Sequence, residues 1–268
     1  MSVGAVRGFG AVEGALRQAA AATGVDFDFL VRTARRESSF NPSAKAPTSS
    51  AAGLFQFVEQ TWLSTVKRHG AKHGLQGFAD LIARGADGRY RVFDPQARRA
   101  VLNLRYDAQA ASLMAGELAS DHAAYLRGRT GREPSAGDLY AAHFLGPAGS
   151  AKLIEAVRST PNASAAALFP EAAGANRSIF YRDGRAATVA EVYANLTRTG
   201  GPGPAIAAPA QAAPPADAES LRDLTLARRL DRLRSDREML DLMNGEGGLG
   251  RSLFEAQLLG AFGPTDES

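Results

Sequence analysis

The sequence predicts an all-α, or mainly α, fold, and three observations carry the prediction. Alanine, leucine, arginine and glutamine fill long stretches between short glycine and proline breaks, a composition that favours helices. No stretch sustains the residue-by-residue alternation of a half-buried strand. The 268 residues are 45% hydrophobic and 22% charged, so the chain can bury a sizeable core and has the balance of neither a disordered nor a membrane-spanning protein.

Taken in order, helices are expected to start near Gly10, Asp26, Gln56, Pro95, Ser135 and Ala148, with a more irregular segment from His69 to Val92. Towards the end of this block, Thr188 reads as a helix N-cap and Glu191, three residues on, as its partner in a capping box. That short helix is expected to close a main domain over 1–198. A Pro/Ala/Gly-rich stretch over 199–218 follows, low in complexity and read as a flexible linker. Beyond it Leu221, Leu224, Leu230, Leu233 and Leu240 recur among arginines and aspartates, the pattern of an amphipathic helix over 219–245 before a tail over 246–268. A helix tethered in this way either folds back on the domain or docks a protein partner, and the linker favours docking.

Glu37 is the most informative residue. At roughly 100° per residue, Phe27, Leu30, Ala34 and Glu37 share one face of the second helix, so a carboxyl stands where the apolar stripe would continue. Desolvation and the negative end of the helix dipole both favour its protonated form, which is how a general acid is made. Arg35 and Arg36 are neighbours in sequence, but on a helical wheel both point away from that face and should be screened by solvent. Ser38, Ser39 and Asn41-Pro42 end the helix sharply, since proline disfavours helical geometry in the residue before it. The loop then leads into Ala51-Ala52-Gly53-Leu54-Phe55-Gln56-Phe57, where Gly53 permits close backbone approach. Gln56 is polar among apolar neighbours, and fits either a satisfied core amide or a contact to a ligand rich in hydroxyl and acetamido groups.

Glu37, Ser38, Ser39, Phe40, Asn41, Pro42, Ala44, Ser50, Ala51, Gly53, Leu54 and Gln56 together resemble the signature of the soluble lytic transglycosylase (SLT) domain, a goose-type lysozyme-like module that cuts bacterial peptidoglycan. A second element of that family, an Asp-Pro ahead of a helix lined with small and apolar residues, is matched by Phe93-Asp94-Pro95. A third keeps its frame in Ala141-Ala142-His143-Phe144-Leu145-Gly146-Pro147-Ala148, but His143-Phe144 stands where the family commonly has Tyr-Asn. Tyr140, three residues before His143 and on the same helix face, offers a phenol from one turn earlier.

The resemblance implies a lysozyme-like helical domain over roughly residues 10–196 and a catalytic role for Glu37. Ser38, Ser50 and Gln56 are then expected to orient that carboxyl and the sugar substituents, with Tyr140 and His143 as further substrate-binding candidates. Hydrolysis of a glycosidic bond typically needs a second carboxylate roughly 5–9 Å away. Glu59, Asp80 and Asp94 are present, but each reads more simply as surface charge or a turn residue. A lytic transglycosylase, by resemblance, needs only one carboxyl and no cofactor: the 6-hydroxyl of N-acetylmuramic acid attacks its own anomeric carbon and leaves a 1,6-anhydro end. The rival readings are a hydrolytic muramidase and a non-catalytic, glycan-binding scaffold of an export or flagellar apparatus.

A formal net charge of +3, from 31 basic and 28 acidic residues, is too balanced to prescribe nucleic acid as a partner. The absence of cysteine excludes disulfides, thiol catalysis and thiolate metal sites. His69 and His73 have helical ligand spacing, but Gly70 and Gly74 beside them undercut a rigid site, and no metal is assigned. No segment approaches the roughly 20 apolar residues of a membrane span. Met1 to Gly24 lacks the pattern of a Sec signal peptide, being interrupted by Arg7, Glu13 and Arg17. The expected place of action is the cell envelope or periplasm. The route there is open between a secretion or flagellar apparatus, a phage particle and a longer natural chain.

Overall fold

The computed structural model describes residues 3–47 and 49–200. The linker expected at 199–218 from residue 201 onward, the helix expected at 219–245 and the tail lie outside the described residues. Among the described residues the chain forms eleven α-helical segments and two short hairpins, in accord with the mainly α expectation. The first six helices and hairpin are α1 (Val3–Thr23), α2 (Phe27–Ser38), α3 (Glu59–His69), α4 (Gln76–Asp80), β1 (Ala83–Arg84), β2 (Tyr90–Arg91), α5 (Pro95–Asn103) and α6 (Ala108–Thr130). The kinked α7 (Ala136–Ser159) follows, then three short helices, α8 (Ala165–Leu168), α9 (Pro170–Ala175) and α10 (Arg177–Phe180). A second hairpin, β3 (Tyr181–Arg182) with β4 (Arg185–Ala186), leads into α11 (Val189–Gly200).

Helix starts follow the chemistry of their caps. Asp26 accepts a hydrogen bond from the Phe29 amide at 2.9 Å, and Asp94 accepts one from Ala97 at 2.6 Å with Pro95 in the first turn. Ser135 and Asp138 form a reciprocal capping box, and so do Thr188 and Glu191. The helix expected from Gln56 begins three residues later, at Glu59, because Gly53 to Phe57 is used in a tight turn. The sequence reading also ran past the break at Asp107, whose carboxylate accepts from Ala110 at 2.7 Å and starts α6 as a separate helix. The start expected near Ala148 appears as a kink within α7, where Gly146 takes φ 73° and ψ 162° ahead of Pro147. The irregular stretch from His69 to Val92 is a 3₁₀ turn, α4 and the β1–β2 hairpin.

The main core gathers Leu16, Leu30, Leu54, Phe55, Phe57, Trp62, Leu63, Met114 and Leu139, each at most 1% exposed, between α1, α2, α3, α6 and the start of α7. The indole of Trp62 donates to the Val101 carbonyl at 2.8 Å, so its polar edge is satisfied where it is buried. α7 packs α6 on one side and α11 on the other. The α11 side holds a second cluster, in which Phe144 stacks on Phe180 with ring centroids 6.5 Å apart. The two clusters meet along α7, which therefore serves as the spine of the fold.

Two ion networks, each centred on a buried carboxylate, brace this arrangement. Glu117 on α6 accepts from Lys72 and His73, each at 2.7 Å, while His69 reaches Asp121 at 2.9 Å. The two histidines with ligand-like spacing thus meet carboxylates of α6. Burial pushes the Glu117 carboxyl up, but Lys72 and His73 outweigh it and leave it below its ordinary value. On α7, Asp138 is fully buried and meets Arg132 at 2.8 Å, Ser135, and the Tyr193 hydroxyl of α11 at 3.0 Å. Burial again raises its carboxyl, and Arg132 with Ser135 more than offsets this.

Because the folded-state pKa of Asp138 is depressed, its stabilisation is present above the unfolded value of about 3.9 and is lost as pH falls through the folded value. Asp138→Asn is expected to lower stability at pH 7 by roughly 2–3 kcal/mol, less than for a fully buried pair because Arg132 is 36% exposed. Urea unfolding at pH 7 and pH 3 checks this: the difference between variant and parent should shrink at the lower pH.

Candidate active site

Helix α2 ends in an unusual way. The Phe40 amide donates to Ala34 and the Ser39 amide to Arg35, so the last carbonyls of the helix are taken up by residues in a left-handed cap. Glycine normally occupies such a cap, yet Ser39 takes φ 51° and Phe40 φ 64°. Gln56 is a third non-glycine residue at positive φ, 48°. Three left-handed residues therefore flank one loop, and backbone strain of this kind clusters where geometry is being held for a purpose.

That loop is stitched by side chains. The Ser38 hydroxyl donates to the Leu54 carbonyl at 2.8 Å and ties the end of α2 to the turn that precedes α3. The Gln56 amide donates to the carbonyls of Gly53 at 2.9 Å and Ala44 at 3.2 Å. Of its two possible roles, these bonds are those of a core amide. Ser50 is exposed and its hydroxyl accepts from the Glu59 amide at 3.3 Å. So Ser38, Ser50 and Gln56 bond to main chain and shape the loop around Glu37.

Arg105 completes the stitching and was not singled out by the sequence reading. From the 3₁₀ turn after α5, its buried guanidinium donates to Leu102 at 2.9 Å, Ser50 at 2.6 Å and Phe57 at 3.0 Å. Gly53 passes so close beneath it that a Cβ would lie 1.8 Å from the Arg105 carbonyl oxygen. Two of its three partners are 48 and 55 residues away in sequence, and no local pattern announces them.

The Glu37 side chain is only 4% exposed, and its Oε1 lies 3.3 Å from Nε2 of His143 on α7. The alignment is not that of a hydrogen bond, and Glu37 Oε1 has no hydrogen-bonding partner in the protein. The Tyr140 hydroxyl, one turn earlier on α7, is likewise buried without a partner, and its ring stacks on that of His143 at 6.4 Å. Burial pushes the Tyr140 phenol well above its ordinary value; Arg36 pulls it back in part and Glu37 adds to the rise. A buried polar atom left unsatisfied costs about 1–3 kcal/mol, so two at one spot call for an occupant. The structure thus brings Glu37, Tyr140 and His143 together.

Two further facts were not anticipated. The Arg36 guanidinium stacks over the Tyr140 ring at 4.4 Å, so it stands at the edge of the site. Phe144 turns away from the carboxyl into the second core, which explains an apolar residue in the place of the usual Asn. Between His143, His122 and the apolar side chains of α2 and α6 lies a cavity of about 30 Å³, room for a water molecule and too small for a sugar ring. His122 beside it is held neutral, its ring pushed down to about 3 by burial first and by His143 second.

The acidic residues considered as second carboxylates are engaged elsewhere. Glu59 pairs with Arg98, Asp80 accepts from Gln76 at 2.6 Å, and Asp94 caps α5. Residues 14–96 match the family model of the transglycosylase SLT domain. The match contains the Glu37–Gln56 signature and Asp94-Pro95, and ends before α7, which supplies Tyr140 and His143.

The strained cap yields a stability test of opposite signs. Ser39→Gly should raise stability by about 0.5–1 kcal/mol by relieving the left-handed backbone, and Gly53→Ala should lower it by at least about 2 kcal/mol through the collision with Arg105. Denaturant unfolding of both variants measures the pair.

Proposed function

Because residues 14–96 carry a transglycosylase SLT domain, whose family acts on peptidoglycan in the cell envelope, we propose that this protein is a lytic transglycosylase. It cleaves the bond between N-acetylmuramic acid and N-acetylglucosamine, with Glu37 as the single acid and base. The observation that carries the reading is the solvent-excluded carboxyl oxygen of Glu37, without a hydrogen bond and facing His143 and Tyr140. Among the described residues no helix is long and apolar enough to cross a membrane, and the proposed place of action is the periplasm or wall.

Glu37 first gives its proton to the oxygen joining the two sugars, and the bond from that oxygen to the anomeric carbon breaks. The 6-hydroxyl of the same muramic acid then forms the new bond to that carbon. Its proton passes to the Glu37 carboxylate, which restores the starting state with no water consumed. Attack from within the sugar gains the advantage of a unimolecular step. His143 orients the carboxyl, and the Tyr140 phenol, kept protonated, donates to the oxygen on which charge develops. Ser38, Gln56 and Arg105 act at one remove by fixing the loop; Ser50 does so at the start of α3.

The engagement of Glu59, Asp80 and Asp94 in other bonds supports this route over hydrolysis, which typically requires a second carboxylate. Digestion of purified sacculi followed by mass spectrometry is the test. Products ending in 1,6-anhydromuramic acid are expected, lighter by one water than those of a muramidase. Glu37→Gln should reduce the rate by at least about a thousandfold with little change in stability, whereas Tyr140→Phe should reduce kcat by about tenfold. Reducing sugar ends as the sole product would make the enzyme a hydrolase, and undiminished lysis by Glu37→Gln would remove Glu37 from the reaction.

A further inference from the structure

Arg36 differs from the arginines that anchor the fold through carboxylates or carbonyls; like Arg177, which lies over Tyr181, it rests on a ring. Arg98, Arg127, Arg132 and Arg185 each hold a carboxylate, and Arg105 holds three carbonyls. Arg36 is exposed, and its contact is with a ring: its guanidinium lies 4.4 Å from the centre of Tyr140. A cation in the last turn of α2 gains from the helix dipole, but Arg35 already occupies that turn, and the dipole does not account for a stack on α7.

Stacking uses the face of a guanidinium and leaves its N–H edge available, in the fork geometry that matches a carboxylate with two parallel bonds. The stack also fixes the side chain in advance, so less conformational freedom is lost when an anion arrives. The residue after Arg36 is Glu37, and the ring beneath it carries the unsatisfied phenol, so an anion on that edge would lie beside the reacting bond. Peptidoglycan supplies such an anion. Its muramic acid bears a lactyl group that ends either in a free carboxylate or in a stem peptide with carboxylates of its own.

We propose that Arg36 forms an anion subsite that docks a carboxylate of the muramyl substituent next to the bond that Glu37 cleaves, and so selects charged glycan strands. The proposal rests on the reading of Glu37 as acid and base. Four strands test it: stem-bearing strands, strands stripped of stems to expose the lactyl carboxylate, and each of these with its carboxyls capped as methylamides. The wild-type enzyme should show a kcat/KM about tenfold higher on at least one native strand than on its capped counterpart, and 1 M salt should shrink that ratio.

Arg36→Gln should bring the ratio close to one, and Arg36→Lys should restore part of it. A preference confined to stem-bearing strands assigns the peptide carboxylate, and one that persists on stripped strands assigns the lactyl group. An unchanged ratio in Arg36→Gln, or no preference in the wild type, overturns the subsite. Calorimetric binding of the same strands to the Glu37→Gln protein, with and without Arg36→Gln, reads it independently of cleavage. Equal affinities there overturn the subsite, whereas failure of the wild type to cut any strand overturns the reading of Glu37 instead.

Discussion

The carboxyl of Glu37 can stand out of water only because α2 stops one residue after it and the chain returns to seal that end. The stop is bought with two left-handed residues, Ser39 and Phe40, and secured by the bond from Ser38 to the Leu54 carbonyl. The returning loop is held in turn by Gln56 on its inner side and by Arg105 from beyond α5. Loosening any of these would let water reach the carboxyl, and water would screen the charge changes of the proposed proton transfer. The rest of the fold acts as a frame for this one enclosure.

α7 supplies the other wall, and its sequence shows how one helix serves two masters. Tyr140 and His143 face the carboxyl, while Phe144 enters the second core against Phe180. The departure from the usual Tyr-Asn pair is thus divided between functions. His143 takes a position within reach of Glu37, and Phe144 gives up polarity to strengthen the packing that holds α7 to α11. The buried Asp138, which joins Arg132 and Tyr193, pins the same two helices from the polar side.

Much of this was legible in the chain. The position of Glu37 on the apolar face of α2 followed from helical spacing alone, the capping box of Thr188 with Glu191 from the chemistry of orphan amides, and the helix starts near Asp26, Pro95 and Ser135 from the breaks in the chain. What sequence could not convey were contacts that depend on packing between distant segments. The wheel turned Arg36 away from Glu37, and it could not show that α7 would place Tyr140 beneath Arg36 and bring the guanidinium to the edge of the site. Arg105 reads as a surface cation until 50–57 fold around it. Gln56 offered two roles of equal standing because an amide satisfied by backbone and one awaiting a ligand have the same composition. The start of α6 was hidden for a simpler reason: Asp107 interrupts a stretch that is helix-prone on both sides.

The central claim is that residue 37 meets the bond to be cut with a carboxyl shielded from water, and a crystal structure of the Glu37→Gln protein with a bound muramyl-containing tetrasaccharide tests it most directly. The account predicts the bridging oxygen within about 3 Å of the residue 37 amide, with Tyr140 and His143 against the same sugar. A strand seated elsewhere, with residue 37 beyond hydrogen-bonding reach of any glycosidic oxygen, would contradict it.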